Sequence, residues 1–307
     1  MEKIKFGVIG LSEGNGHPYS WSAICNGYDP EAMASCPFPV IPRYLARQSF
    51  PEDALREAEV THVWTQDRAL SAHIARASRI PHVANRPEDL IGAVDAVLLA
   101  RDDYERHEDM SRPFLDAGLP LFVDKPLAAD RGTAERIWSR QRYEGQLFTG
   151  TAFRYAREFV LTPEERGRLG PLVYIDACVM KKWDKYGIHI VEPVLHLIGE
   201  QGELADVAAT AGEGGATFVR ARWASGLCAT FASLGAAPAP VVIRLFGEKG
   251  YRELRLEDTF FAFKASLQAF VDVIKGRRPA PSRDSVLRIV DLIERGMTPV
   301  PGREAAG

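Results

Sequence analysis

Three short stretches of the sequence carry residue types that could do chemistry, and the first is rich in glycine. The run Gly10-Leu-Ser-Glu-Gly-Asn-Gly16 directly follows a β-branched segment, Ile4–Ile9. Glycines after a strand let backbone N–H groups approach a diphosphate closely, with the start of a helix behind them. Ser12 stands where the second glycine of the usual G-x-G-x-x-G would fall. The pattern predicts a dinucleotide-binding loop, although a tight turn would use glycines in the same way; its candidate residues are Gly10, Ser12, Gly14, Asn15 and Gly16.

The second stretch, Leu-Phe-Val-Asp124-Lys125-Pro126, places a lysine directly after an apolar run. In open α/β sheets, ligands gather at the edge where parallel strands end. A lysine at that edge could hydrogen-bond a substrate hydroxyl and shuttle its proton. We therefore predict that Lys125 is catalytic and also contacts a cofactor. The alternative is a surface lysine in a turn.

The third stretch is Tyr186-Gly-Ile-His189-Ile-Val-Glu192-Pro193-Val-Leu-His196. Pro193 fits the first turn of a helix, so we expect His189 and Glu192 at the mouth of that helix. A helix that began earlier would place both residues and His196 on one face, where a metal could bind. Pro193 argues against that helix, so no metal is expected, and His196 is expected to be a structural histidine.

Alternating strands and helices must position the first two stretches. Strand-like and helical segments alternate up to about Arg154, which predicts a doubly wound parallel sheet. From Pro171 to Leu256, strand-like segments follow one another, and two amphipathic helices come after them. The predicted fold class is α/β with two domains and a tail: an N-terminal Rossmann domain at 1–126, an α+β domain with a large, mostly antiparallel open sheet at 127–297, and a flexible tail at 298–307.

A proline-rich stretch interrupts the first domain from His17 to about Glu59, with an insertion at 27–59. Prolines at this density break regular helices. We therefore expect one short helix near Tyr19–Asn26 and then an irregular excursion. Long loops inside a compact domain are usually functional, and residues 37–51 could clamp a bound dinucleotide.

Composition limits the classes of partner. The chain has 307 residues, a formal net charge of -3 and no cluster of lysine and arginine, which argues against nucleic acid and anionic membranes. No apolar run approaches the ~20 residues of a membrane-spanning helix, and the N-terminus lacks signal-peptide features. The four cysteines form no C-x-x-C pair, so a reducing, cytoplasmic setting is expected. An open sheet face needs covering, so we expect a homodimer or homotetramer.

The motifs follow one order along the chain, and that order resembles a known family. After the glycine loop come VDAVLLA, AGLPLFVDKPLA, GTAFRY, RLGPLVYIDA, YGIHIVEPVLHLIG and LFGEKGYRELRLE. Over nearly its whole length the chain resembles the Gfo/Idh/MocA oxidoreductases, a family that includes glucose–fructose oxidoreductase and inositol dehydrogenase. The resemblance implies NAD or NADP as cofactor and a sugar-like or cyclitol-like small molecule as substrate.

Carried over position by position, the resemblance implies that Lys125 and His189 are catalytic. Glu192 replaces an aspartate three residues after the histidine, and Lys185 stands where the family usually has a catalytic aspartate. Lys185 is therefore a third catalytic candidate, which could lower the pKa of a nearby amine or bind an acidic group on the substrate. Arg154 and Tyr186 join Glu192 as candidate substrate-binding residues.

The ribose of the cofactor is expected after the second strand, within Val60–Asp67. Thr65 occupies the place of the usual acidic residue, and Asp67 follows two positions later. An acid would bind the ribose hydroxyl of NAD, whereas Arg68 could bind the 2′-phosphate of NADP. The choice between NAD and NADP stays open. The cofactor-binding candidates here are Thr65, Asp67 and Arg68, with Arg101 after a later strand.

Three functions fit these residues. The leading hypothesis is reversible hydride transfer between a nicotinamide and a secondary alcohol or ketone, with Lys125 and His189 handling the hydroxyl proton. The second is a redox-neutral enzyme that retains NAD tightly, for elimination or glycoside cleavage. The third is a non-catalytic binding protein, since a fold alone does not fix function.

Overall fold

A computed structural model describes residues 2–298, which form two compact units. The strands are β1 (Ile4–Ile9), β2 (Ala58–Trp64), β3 (His82–Val83), β4 (Ala96–Leu99), β5 (Leu121–Val123), β6 (Leu147–Thr149), β7 (Leu172–Val179), β8 (Leu204–Ala211), β9 (Thr217–Trp223), β10 (Cys228–Ser233), β11 (Val242–Gly247) and β12 (Tyr251–Arg255). The α-helices are α1 (His17–Asn26), α2 (Pro30–Ala34), α3 (Val40–Leu45), α4 (Arg68–Ala77), α5 (His107–Asp116), α6 (Arg131–Ser139), α7 (Pro163–Leu169), α8 (Trp183–Tyr186), α9 (Ile188–Ile198), α10 (Thr259–Ile274) and α11 (Arg283–Gly296).

The first unit contains the chain up to Ala128 together with residues 132–150 and 259–283. Its six strands form a parallel sheet in the order β3-β2-β1-β4-β5-β6. β4 and β5 are buried along their whole length, as expected for strands covered on both faces. This is the Rossmann strand order, so the predicted doubly wound sheet is confirmed.

The compact units divide the chain differently from the predicted boundary after residue 126. β6 pairs with β5 and so extends the first sheet. α10 also packs on that sheet: the ring of Phe270 lies 5.7 Å from Phe6 and 5.6 Å from Phe122. Glu57, just before β2, accepts a hydrogen bond from Lys275 at 2.7 Å. Aromatic packing therefore returns a late segment of the chain to the first unit.

The proline-rich stretch is more regular than the sequence predicted. Pro18 lies in the first turn of α1, Pro30 begins α2, and Pro39 directly precedes α3. Proline suits a first helical turn because its missing N–H would have no intrahelical acceptor there. These prolines therefore begin helices instead of breaking them.

Parts of this stretch lie at both ends of the strands of the first sheet. A cavity of about 980 Å³ lies at the edge where the strands begin, and it is lined by residues that include Gln48, Phe50, Pro51, Lys3 and Pro81. Near the other edge, a Cβ added to Gly16 would lie 2.5 Å from Ile41 and 2.8 Å from Phe38. Of the predicted clamp at 37–51, Phe38 and Ile41 therefore pack behind the glycine loop, whereas residues 48–51 lie at the opposite edge.

The second unit contains residues 129–131, 151–258 and 284–298. Its six strands follow the order β12-β11-β7-β10-β9-β8. β7 and β10 are parallel, and the other neighbouring pairs are antiparallel. The predicted mostly antiparallel sheet is therefore confirmed. Ile175 and Ala177 of β7 are buried, while the alternating residues Tyr174 and Asp176 are partly exposed on the outer face.

α9 runs from Ile188 to Ile198 with Pro193 inside it, so the prediction that Pro193 would begin this helix was wrong. A proline in a helix interior costs about 3 kcal/mol. Burial of the apolar side chains of Ile190, Val191 and Val194 offsets this cost.

Within residues 2–298, no helix is long and apolar enough to cross a membrane. The four cysteines are free thiols, and Cys25 and Cys36 are buried. Apart from Thr298, the predicted tail at 298–307 lies outside the described residues.

Candidate functional site

Side chains as well as glycines hold the glycine loop at the carboxyl edge of the first sheet. The Oγ of Ser12 donates to Oδ1 of Asp102 at 2.8 Å and accepts the backbone N–H of Asp102 at 3.0 Å. Asp102 follows β4, so this contact joins the loops after β1 and β4. A glycine at position 12 could not make it, which explains the departure from the usual glycine pattern.

Asn15 and His17 attach the other end of the loop to Asp124. Nδ2 of Asn15 donates to Oδ2 of Asp124 at 2.8 Å, and Nδ1 of His17 lies 2.6 Å from the same oxygen. Burial raises the pKa of the Asp124 carboxyl, but the charge and hydrogen bond of His17, with Lys125 and Asn15, outweigh burial and lower it. Asp124 is thus a buried carboxylate held by the loop.

Because the pKa of Asp124 is lowered, its contribution to the free energy of unfolding should depend on pH. Such a carboxyl stabilises the fold above its ordinary pKa of 3.8, and the contribution is lost as pH falls through the folded-state value. We expect Asp124→Asn to have a lower free energy of unfolding than the parent near neutral pH. That difference should shrink in acid, which urea unfolding between about pH 7 and pH 3 would measure. A difference that stays constant over this range would contradict the expectation.

The glycines of the loop have two roles. A Cβ on Gly10 or Gly16 would lie 2.3 Å or 2.5 Å from a side-chain atom of α1 or α3, so both allow close packing behind the loop. Gly14 has a φ of +76°, which side chains rarely adopt, and its Cβ position faces open space. Ser12 and Asn15 turn inward to their carboxylate partners. The open backbone at Gly14, just before α1, fits a diphosphate group.

Lys125 is buried and is the second residue after β5. Its side chain is 4% exposed, and its Nζ lies 3.4 Å from Oδ2 of Asp102. Its backbone N–H donates to Oδ1 of Asp124 at 2.8 Å. The alternative of a surface lysine in a turn is therefore wrong, and Lys125 lies at the predicted ligand-binding edge.

Of the predicted ribose-binding residues, Thr65 and Asp67 lie in the turn between β2 and α4, and Arg68 begins α4. Thr65 is buried, and its Oγ1 donates to the backbone carbonyl of Asp67 at 2.6 Å. Asp67 caps α4, since its Oδ1 accepts two backbone N–H groups of the first turn at 2.7 and 3.2 Å. Arg68 donates to the side-chain carbonyl of Asn85. Asp67 and Arg68 are exposed, whereas Thr65 supports the turn from inside.

Gln66, which the sequence did not single out, fixes the start of the glycine loop. Its Nε2 donates to the carbonyl of Leu11 at 2.7 Å, and its Oε1 accepts the N–H of Leu11 at 3.0 Å. Arg101 donates to the same Oε1 at 3.0 Å and pairs with Asp103 at 2.6 Å. Arg101 therefore supports the loop through Gln66, and Asp103 balances its charge.

A second cluster lies in the second unit, around the start of α9. The backbone N–H of Thr151 donates to Oε2 of Glu192 at 2.6 Å, and its Oγ1 lies 2.6 Å from Nδ1 of His189. Nη1 of Arg154 lies 3.4 Å from Oε1 of Glu192. The ring of Tyr186 lies 5.1 Å from that of His189. The structure thus brings four predicted residues of this unit together around Thr151.

Thr151 was not singled out from the sequence, although it stands in the GTAFRY motif. Its Oγ1 caps the 3-10 helix Ala152–Tyr155 by accepting the N–H of Phe153 at 3.3 Å. The ring of Phe153 lies 4.4 Å from the imidazole of His189. This short helix therefore supports His189 from two sides, by a polar contact and by ring packing.

Glu192 is a buried acid, and its surroundings set its ionisation. Burial raises the pKa of its carboxyl, while Arg154 and the N–H of Thr151 oppose that rise without cancelling it.

Within residues 2–298, no group of three or more histidine, cysteine or acidic residues could hold a metal ion. His196, which was expected to be structural, is exposed one turn further along α9.

Two lysines accompany Tyr186 in the chain. Lys185 is half-buried in α8, immediately before Tyr186. Lys181, which the sequence did not single out, donates to the Tyr186 hydroxyl, and its Nζ lies 4.4 Å from the centre of that ring. The role of Lys185 stays a prediction.

Known proteins match part of this chain in sequence. Residues 42–150 match the Gfo/Idh/MocA family model, described as oxidoreductase family, NAD-binding Rossmann fold. The inositol 2-dehydrogenase of Cereibacter sphaeroides is 34% identical over 127 residues, and this match covers 40% of the chain and 38% of that relative. The chain therefore matches well under half the length of this relative.

Solved structures share the fold over nearly the whole chain. Myo-inositol 2-dehydrogenase from Lactobacillus plantarum has a TM-score of 0.73 at 14% identity, over 96% of this chain and 98% of that one. GenD2 from gentamicin A biosynthesis, in complex with NAD, has a TM-score of 0.72 at 17% identity, over 97% of this chain and 94% of that one. The resemblance inferred from the motifs is confirmed over residues 42–150, which match the Gfo/Idh/MocA oxidoreductase family model.

Proposed function

We propose that the protein is a nicotinamide-dependent dehydrogenase that transfers hydride to or from a secondary alcohol or ketone of a cyclitol or sugar. The observation that carries this proposal is the buried Lys125 at the carboxyl edge of a Rossmann sheet, where dinucleotides bind. The family model and the NAD complex of GenD2 support the cofactor. The activity named for the inositol dehydrogenases supports the substrate class.

The residues of the chain would divide the work of binding and proton transfer. A bound nicotinamide supplies the hydride donor or acceptor. Lys125 would hydrogen-bond the reacting oxygen of the substrate and give or take its proton. His189, fixed by Thr151, would bind a substrate hydroxyl together with Arg154. Orienting an unreactive alcohol in this way contributes much of the rate.

Two measurements test this function. Calorimetry with NAD and NADP, each oxidised and reduced, tests cofactor binding. Near-ultraviolet absorbance of the reduced nicotinamide, with myo-inositol, scyllo-inositol and nucleotide-linked sugars, tests the reaction. We expect binding of a dinucleotide and turnover of a cyclitol or sugar. A protein that binds none of the four dinucleotides would rule out the proposal, and one that keeps its cofactor without turning over free dinucleotide would favour the redox-neutral alternative.

We propose that NAD is preferred over NADP because of the exposed carboxylate of Asp67. Asp67→Asn should lower the NAD preference, measured as the ratio of the two dissociation constants, by about tenfold, because the variant no longer repels a 2′-phosphate. Asparagine caps helices as well as aspartate does, so the free energy of unfolding should stay close to that of the parent. An unchanged ratio of dissociation constants would show that Asp67 does not face the ribose.

We propose that a second copy of the chain covers the outer face of the second sheet, in a homodimer or homotetramer. Tyr174 and Phe246 are register partners on β7 and β11, with ring centres 5.6 Å apart. The ring of Tyr251 on β12 lies 5.1 Å from that of Phe246. Phe246 and Tyr251 are 36% and 54% exposed, which suits a subunit contact.

Phe246→Asp is expected to shift the protein towards monomer, because it places a charge in that apolar contact. Light scattering over a concentration series would measure the shift. Ser139→Asp adds the same charge at an exposed position of α6 and serves as the matched control. A parent protein that is monomeric at all working concentrations would contradict the proposed assembly.

A further inference from the structure

A buried group of charges surrounds Lys125. The side chains of Asp102 and Lys125 are 7% and 4% exposed, with 3.4 Å between Oδ2 and Nζ. Asp124 is 2% exposed and turns one carboxylate oxygen to Asn15 and His17. Water is largely excluded here, so charges interact more strongly than on the surface. Each charge therefore affects any charged group that binds beside Lys125.

Asp102 is held in place by Ser12, which stands where the usual pattern has a glycine. One of its carboxylate oxygens accepts the Ser12 hydroxyl at 2.8 Å, and its backbone N–H donates back to Ser12 at 3.0 Å. The other carboxylate oxygen faces Nζ of Lys125. Because Ser12 holds both the backbone and one carboxylate oxygen of Asp102, the carboxylate cannot turn away without breaking a buried hydrogen bond. Ser12 therefore positions Asp102, and Asp102 balances the charge of Lys125.

We propose that Asp102 is a specificity-determining residue that favours the oxidised form of the nicotinamide. The oxidised ring is cationic, and the reduced ring is neutral. The cation of Lys125 repels the oxidised ring, and the carboxylate of Asp102 offsets that repulsion. The inference rests on the proposed function, because it requires a nicotinamide ring near Lys125.

The test compares the dissociation constants of NAD+ and NADH by calorimetry in the parent and in Asp102→Asn. Asparagine keeps the shape of aspartate and an acceptor for Ser12 but removes the charge. We expect the ratio of the NAD+ constant to the NADH constant to rise about tenfold, because the variant removes a negative charge from the surroundings of Lys125. Ser12→Ala should raise the same ratio by a smaller factor. If Asp102 had only a structural role, its substitution would weaken the binding of NAD+ and NADH equally and leave the ratio unchanged.

Lys125→Met provides the opposite change in the same pair. It removes a positive charge beside the carboxylate of Asp102, so the ratio should fall below that of the parent. The double variant Asp102→Asn/Lys125→Met should return the ratio close to the parent value, which supports the inference and shows that the altered site still folds. An equal ratio in the parent and Asp102→Asn overturns the inference and leaves the proposed function intact. A parent that binds neither form overturns both.

Discussion

Lys125→Met is expected to lower kcat by about 100-fold or more, a typical contribution of a positioned acid–base group. The amine is buried at the edge where the strands of the first sheet end, so bulk water does not readily replace it. Methionine keeps most of the volume of lysine and removes the group that hydrogen-bonds and exchanges a proton. The affinity for NADH, whose ring is neutral, should stay within a few-fold of the parent. Steady-state kinetics with a validated substrate, together with NADH titration, would measure both quantities.

This variant also breaks a buried ion pair, so its stability must be separated from its chemistry. Removing one partner of such a pair costs about 3–5 kcal/mol, because the other charge is left buried and unpaired. The double variant Lys125→Met/Asp102→Asn removes both charges and should regain much of the free energy of unfolding. Its turnover should stay low, because the amine is still missing. If Lys125→Met keeps full activity, the assigned role of Lys125 is wrong.

Glu192→Ala is expected to lower the free energy of unfolding by about 3 kcal/mol. The substitution removes the acceptor of the Thr151 N–H, now 2.6 Å away, and the ionic partner of Arg154. Both donors are then left in a largely buried cluster. Urea unfolding would measure the loss. Activity should fall as well, because Thr151 also fixes His189.

Glu192→Gln is the matched variant, because its side-chain carbonyl can still accept the Thr151 N–H. We expect a loss of about 1 kcal/mol near neutral pH. Since burial raises the pKa of Glu192, the folded parent holds its proton to higher pH than the unfolded chain does. The stability advantage of the parent over Gln should therefore decrease as pH rises above the ordinary value of 4.5 towards the folded-state value. Equal stability of Ala and Gln would show that the N–H of Thr151 finds another acceptor.

The sheets could be predicted from the sequence because their signals are local. β4 lies in a continuous apolar run, and the strands of the second unit alternate between buried and partly exposed residues. Lys125 and His189 could be found because each stands in a short motif. Asp102 could not, since its partner Ser12 lies 90 positions away and no spacing rule joins them. Gln66 and Thr151 were missed for the same reason.

Local rules failed where packing outweighed them. Pro193 disfavours a helix through its own position, yet the burial of its apolar neighbours keeps α9 continuous. The division into compact units differs from the predicted boundary because aromatic side chains pack α10 against the first sheet. The amphipathic spacing of a helix does not indicate which sheet it will pack on. The prolines at 18, 30 and 39 begin helices instead of breaking them. The effect of a proline depends on whether it falls at the start or in the middle of a helix.

During synthesis, the strands of the first sheet leave the ribosome well before α10 does. Phe6, Phe122 and Phe148 then lack the ring of Phe270, which lies 5.7, 5.6 and 5.4 Å from them in the finished protein. Domains usually fold in the order in which they are made. Here the first unit is begun first and completed only after the strands of the second unit have been translated. A nascent chain paused within those strands would therefore expose an aromatic surface for a chaperone to hold.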